Sequence, residues 1–106
     1  MPYTETKALK NMVNLYLDEL EFEKPFVNSD KFIKNTYSKW ACKELLRYIQ
    51  VSVDAPFHLT ALGTLQSFSD KMKRYAYMNG KNSLQFAIAS EVTEYLIDEY
   101  YLRQKR

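Results

Sequence analysis

Apolar side chains recur every three or four residues in four separate stretches of the chain. This spacing places side chains on one face of an α-helix. It predicts helices over residues 4–22, 30–51, 56–78 and 83–102. The connections between them span about 3–7 residues, a length that favours antiparallel neighbours. The sequence therefore predicts an all-α fold, an antiparallel four-helix bundle, with residues 1–106 forming a single helical domain.

Residues typical of helix ends flank these stretches. Lys24-Pro25 follows the first stretch and predicts its end, because a residue before proline avoids the α region. Gly80 is expected to end the third by adopting a left-handed conformation. Residues 49–53 alternate like a strand, but no partner strand is predicted, which favours a helix. The residues expected as N-caps are Thr4, Asn28 or Ser29, Asp54 and Asn82.

Small residues suggest where two of the helices meet. Gly63 lies inside the third predicted helix, where glycine costs about 1 kcal/mol relative to alanine. The fourth helix also carries small residues, including Ala87, Ala89 and Ser90. A close approach of these two helices at Gly63 would explain the glycine. Gly63→Leu is then expected to lose more than about 2 kcal/mol of stability through overpacking.

The composition excludes several classes of protein. Two glycines and three prolines are too few for the many tight turns of an all-β sandwich. Cys42 is the single cysteine, so neither an internal disulfide nor a multi-cysteine zinc site is expected. The chain shows no export signal and no apolar run near the ~20 residues of a membrane span. We therefore expect a cytoplasmic protein with no membrane association.

The residues that could carry catalysis are few. Cys42 and His58, the single histidine, could form a nucleophile and base pair. The helical pattern around Cys42 favours a packed side chain, and the position of His58 after Pro56 favours a surface or capping role. No glycine-rich phosphate-binding motif occurs. The expectation is a protein that is not an enzyme and has no metal or cofactor.

Charge is unevenly distributed although the formal net charge is only +2. Residues 1–30 hold three lysines against six carboxylates, whereas residues 31–53 hold five basic residues against one carboxylate. Lys39, Lys43 and Arg47 follow one another at four-residue intervals, which places them in a stripe along one helix. This basic stripe is either a solvated face or a binding surface for phosphate or an acidic protein. A sequence pI of 8.6 lacks the strong basic signature of nucleic-acid-binding domains.

Aromatic residues make up 15% of the chain, more than a core of this size needs. Tyr77, Tyr100 and Tyr101 fall partly off the predicted inward faces, as do Phe22 and Phe26 near a connection. Tyrosine is enriched at protein interfaces, so the three tyrosines are candidates for a contact patch. The alternative is that these rings cover the ends of the bundle.

A scattered set of residues resembles the pattern of small helical proteins from Firmicutes genomes and mobile elements. That group has no function attached to it, so the resemblance implies no site residue. It does imply a bacterial origin, with immunity or anti-defence action as one possible role. The residues that carry the resemblance are Phe68, Lys71-Met72, Tyr75-Ala76, Asn79, Asn82-Ser83, Phe86, Ile88-Ala89 and Asp98, together with residues 35–41.

The leading hypothesis is a non-catalytic protein that acts by binding another protein, or a second copy of itself as a homodimer. Its candidate surfaces are the basic stripe and the three tyrosines. The alternatives are a nucleic-acid-binding regulator that uses the basic stripe, and an immunity or anti-defence protein of a mobile element.

Overall fold

The computed structural model describes residues 1–54, 59–78 and 80–105. These residues form four α-helices and no strand, so the predicted all-α four-helix bundle is confirmed. The helices are α1 (Tyr3–Phe22), α2 (Asp30–Asp54), α3 (Ala61–Met78) and α4 (Ser83–Gln104).

The interfaces between pairs of helices differ in extent. The most extensive interface joins α3 to α4, and smaller ones join α1 to α2 and α2 to α4. By contrast, α2 and α3 approach each other at few positions. At 100° per residue the buried positions of α4 cover an arc of roughly 200°. An arc this wide allows one helix to pack against two others. The buried residues of α4 are Ile88, Ala89, Ser90, Val92, Thr93, Leu96 and Tyr100.

A single cluster of apolar side chains fills the space between the helices. Each helix contributes one fully buried leucine to this cluster. These are Leu9, Leu45, Leu65 and Leu96. Burial of a leucine side chain contributes about 1.5–3 kcal/mol. Leu84 of α4 precedes the buried Ile88 by four residues, yet it is 57% exposed and lies outside this cluster.

The start of α2 follows the sequence prediction closely. The Ser29 hydroxyl accepts a hydrogen bond from the backbone N–H of Phe32 (3.1 Å) and donates one to the carbonyl of Phe26 (2.7 Å). Ser29 is therefore the N-cap, one of the two residues expected there. Asn28 precedes it with a φ of 70°, a left-handed conformation that asparagine tolerates.

The start of α3 differs from the prediction. The sequence places it at residue 56, but Leu59 and Thr60 are not helical and α3 begins at Ala61. Thr60 caps it, because its hydroxyl accepts from the N–H of Gly63 (2.9 Å). A carboxylate oxygen of Glu5 in α1 also accepts from the N–H of Ala61, the first residue of α3. Residues 56–58 lie outside the described residues.

The other expected caps, Thr4 and Asp54, are wrong, and Asn82 is found in its expected position only. Helix α1 begins at Tyr3 with Pro2 in the N-cap position, so Thr4 is not its cap. Asp54 is the last residue of α2, because the β-branched residues before it continue the helix instead of ending it. Asn82 occupies the N-cap position of α4 as expected, but its side chain makes no capping hydrogen bond.

Neither glycine has the role expected from the sequence. A Cβ on Gly63 would lie 3.1 Å from the Thr60 hydroxyl oxygen and 3.7 Å from the Cβ of Leu59, so its nearest neighbours belong to the preceding turn, not to α4. The α3–α4 interface is the most extensive of the fold, but none of these nearest neighbours belongs to α4, so the close approach expected at Gly63 itself is not found. The stability loss of Gly63→Leu stays a prediction. Gly80 does not have a positive φ, so it does not end α3 in a left-handed conformation.

No described helix combines the length and the apolar character that a membrane-crossing helix requires.

The capping of α3 gives a first test. Thr60→Ala removes the hydroxyl that accepts from the N–H of Gly63, so we expect it to lower the free energy of unfolding by about 1 kcal/mol. Thr4→Ala is the matched control, because Thr4 is exposed and is not a cap. Urea denaturation measures both variants. Equal stabilities for the two would contradict the position of the cap.

A buried hydroxyl gives a second test. The Ser69 side chain is buried, and its oxygen has no hydrogen-bond partner among the described residues. Ser69→Ala is therefore expected to raise the free energy of unfolding by about 1 kcal/mol. Ser52 is a matched control, because its buried hydroxyl donates to the Tyr48 carbonyl (2.9 Å). Thermal unfolding should rank Ser69→Ala as more stable than Ser52→Ala, and the reverse order would refute the assignment.

Candidate functional site

A groove opens between α2 and α3 and reaches the first turns of α4. Its volume is about 430 Å³. The buried side chains of Phe68 and Met72 form its floor, while Val51 on its rim is 66% exposed. The other lining residues are Trp40, Glu44, Arg47, Tyr48, Lys71, Tyr75 and Phe86. We call this feature the aromatic groove.

The rings of the aromatic groove hold one another in place. Phe86 of α4 lies between two partners, with ring centroids 5.8 Å from Trp40 in an edge-to-face arrangement and 5.3 Å from Tyr75. Tyr48 packs against Phe68 at 5.3 Å. Pairs in this distance range contribute about 0.5–1.5 kcal/mol beyond burial of their area. The contacts join α2, α3 and α4, so the groove has walls that are already ordered.

Hydrogen bonding and charge complete the groove. The Tyr48 hydroxyl is hydrogen-bonded to the Ser67 hydroxyl at 2.7 Å, which links α2 to α3. The Lys71 ammonium lies over the rings of Tyr48 (5.5 Å) and Tyr75 (5.8 Å), a cation–π geometry. Glu44 and Arg47 form an ion pair at 2.6 Å along the same wall.

The basic stripe meets this groove at one end only. Arg47 lines the groove, whereas Lys39 and Lys43 do not. Lys43 is exposed, and Lys39 is partly buried. Because Glu44 pairs with Arg47, one of the three cations already has a partner carboxylate from its own helix. Glu94 of α4 pairs with Lys73 of α3 at 2.6 Å and not with the stripe.

The three candidate tyrosines do not form one surface. Tyr77 is 94% exposed and Tyr101 is 46% exposed, but Tyr100 is only 7% exposed and belongs to the core. The expectation that Tyr100 contributes to an exposed patch is therefore wrong. Burial is the main cause that raises the pKa of the Tyr100 hydroxyl, and the negative charge of Glu5 is the second cause.

The sequence patterns did not identify the residues that form the groove as a site. Trp40, Tyr48 and Tyr75 fall on the apolar stripes of their helices, and such positions are typical of core residues. They remain partly accessible, because α2 and α3 approach each other at few positions. The excess of aromatic residues was the available signal, but it does not say which rings remain accessible.

The described residues contain neither a reactive thiol nor a group of side chains that could bind a metal ion. The Cys42 side chain is fully buried, and this burial raises the pKa of its thiol to about 12. A thiol with that pKa is a poor nucleophile near neutral pH. His58 lies outside the described residues. In the described part of the chain, no group of three or more His, Cys, Asp or Glu side chains is placed to bind a metal ion.

Comparisons of the chain with models of protein families, with curated proteins and with solved structures find no significant match.

The buried thiol gives a third test. We expect Cys42 to resist a thiol-reactive disulfide reagent at pH 8 in the native protein and to react fully in denaturant. Because the pKa is about 9 for a free thiol and about 12 in the folded protein, stability is expected to fall as the pH rises from 9 towards 12. Cys42→Ala should show a smaller decline. Rapid labelling of the native protein at pH 8 would contradict the burial.

Proposed function

We propose that this chain is a non-catalytic, cytoplasmic protein that binds another protein through the aromatic groove. The bound segment inserts a large apolar side chain between the rings and places an acidic residue near Lys71 and Arg47. The observation that carries the proposal is a preformed groove with aromatic walls, a buried apolar floor and cations at its rim.

The ring content of the groove supports a protein ligand. Aromatic residues are enriched at protein interfaces, and a few buried anchors provide most of the binding energy. Trp40, Tyr48 and Tyr75 are partly accessible, and each is braced by another ring or a hydrogen bond. Braced side chains lose little conformational entropy when a ligand binds, which favours affinity. The exposed Val51 extends the apolar contact to the rim.

The charge around the groove favours an acidic segment. Two cations, Arg47 and Lys71, line the groove against one carboxylate, Glu44. Lys39 and Lys43 continue the positive charge along α2, where they would steer an acidic partner towards the groove. The basic stripe thus retains a role in the proposal as a steering surface, and Arg47 is its point of contact.

Selection from a random peptide library displayed on phage tests this proposal. Peptides that bind the wild-type protein are expected to combine a large apolar residue with Asp or Glu. Val51→Asp places a carboxylate on the rim and should weaken the selected peptides at least tenfold, or about 1.4 kcal/mol. Leu15→Asp is the matched control, because Leu15 is 51% exposed on α1, away from the groove, and this variant should retain binding.

Charge reversal at Lys71 separates the acidic specificity from simple hydrophobic adhesion. When the Lys71→Glu variant is the target of the selection, acidic peptides should no longer be enriched, because the cation over Tyr48 and Tyr75 is gone. If the selected peptides bind Val51→Asp and Lys71→Glu with the same affinity as wild type, the groove is not the binding site. Tight, salt-sensitive binding of single-stranded DNA, abolished by Lys39→Glu/Lys43→Glu, would instead favour the nucleic-acid alternative.

A further inference from the structure

A second cavity lies where the end of α1 meets the start of α2. Its volume is about 600 Å³, within the range of small-molecule sites. It shares no lining residue with the aromatic groove. Its lining residues are Tyr16, Leu20, Glu23, Lys24, Pro25, Lys31, Lys34, Asn35 and Ser38. We call it the lysine cavity.

The positive charge of the lysine cavity is not neutralised by the protein. Lys24, Lys31 and Lys34 form no ion pair with a carboxylate among the described residues. Glu23 is the one carboxylate that lines the cavity, and one of its oxygens accepts from the Asn35 amide at 3.1 Å. The lining therefore carries three positive charges against one negative charge.

Asn35 fixes the shape of the cavity. Its side chain is 5% exposed, and its amide also donates to the backbone carbonyl of Leu20 at 2.8 Å. These bonds hold the last turn of α1 against the second turn of α2. The lysines are thus mounted on two elements that are tied together by a buried hydrogen bond.

Lys31 places a cation in the first turn of α2, next to the acidic Asp30. Helix α2 begins at Asp30, so Lys31 lies in its first turn and Lys34 one turn further on. The N-terminus of a helix carries partial positive charge, and a cation there is destabilising. An anion bound between these lysines would relieve the repulsion and would use the same helix end that favours phosphate elsewhere.

The remaining polar groups of the cavity suit a phosphate ligand. The Tyr16 hydroxyl is protonated near neutral pH, as any tyrosine is, and so can donate a hydrogen bond; burial raises its pKa further, to about 12. Ser38 adds a hydroxyl, and Leu20 and Pro25 add an apolar wall. A phosphate monoester carries about −1.5 to −2 charges near pH 7, which matches the excess positive charge of the lining.

From these observations we propose that the lysine cavity binds a phosphate-bearing small molecule. Lys31 and Lys34 contact the phosphate group, Lys24 closes over it from the α1–α2 connection, and the apolar wall receives the rest of the ligand. The site is independent of the aromatic groove and of the function proposed for it.

Isothermal titration at fixed ionic strength tests the site with inorganic phosphate, adenosine monophosphate and glucose 6-phosphate as probes. The expected result is saturable binding of at least one phosphate compound, with no heat from the same concentration of chloride. The compound that binds most tightly shows whether the apolar wall accepts a base, a sugar or no further group. Absence of saturable binding by all three probes would overturn the proposal.

The variant Lys31→Gln/Lys34→Gln should weaken phosphate binding at least tenfold. Without ligand it should melt at the same or a higher temperature than wild type, because a repulsion at the helix end is removed. This combination separates a ligand site from a structural role. Lys43→Gln is the matched control, since Lys43 is an exposed lysine on the same helix but outside the cavity. Lys24→Gln is a second test variant in case the double variant folds poorly. Lys24 lies outside any helix, and its replacement should also weaken phosphate binding.

Equal loss of binding in Lys43→Gln would show a general charge effect and would overturn the site. A double variant that melts at a lower temperature and keeps its affinity would do the same.

Discussion

The packing of α4 against both α3 and α2 is the constraint on which the arrangement of this protein depends. Helix α4 contacts both α3 and α2, and its buried positions span an arc of roughly 200°. By comparison, α2 and α3 approach each other at few positions. Their facing rings are therefore only partly covered, and Phe86 of α4 is positioned to touch both Trp40 and Tyr75. The aromatic groove follows from this packing.

Polar contacts hold the remaining helix in position. Glu5, near the start of α1, accepts from the first N–H of α3, and its charge is also felt by Tyr100 near the end of α4. At the other end of α1, Asn35 of α2 binds the Leu20 carbonyl. Each of these groups satisfies a backbone donor or acceptor that a helix end leaves free. The two ends of α1 are thus fixed by specific hydrogen bonds in addition to its apolar face.

The local pattern of the sequence predicted the number of helices, because 3–4-residue spacing is strong in every stretch. It also identified Ser29, whose capping chemistry depends only on neighbouring residues. It placed the start of α3 too early, because the caps of that helix include Glu5, which is distant in the chain. Asp54 resembles a cap locally but continues α2.

The faces of α4 show why a site is harder to predict than a helix. A narrow apolar stripe with 3–4-residue spacing places Leu84 inward and Tyr100 partly off the inward face. Tyr100 follows Leu96 by four residues and so falls within the wide buried arc, whereas Leu84 lies about 40° beyond Ile88 and outside that arc. The width of the arc is set by how many helices α4 contacts, and only the tertiary structure supplies that number. The same holds for the aromatic groove, which lies where α2 and α3 approach each other at only a few positions.

Trp40 is the single tryptophan of the chain, and it stands in the wall of the groove with its ring edge-to-face against Phe86. Indole emission responds to the polarity around the ring, and no second indole contributes a background signal. Any molecule that displaces water from the groove changes the surroundings of this one fluorophore. The protein therefore carries a built-in optical reporter of groove occupancy.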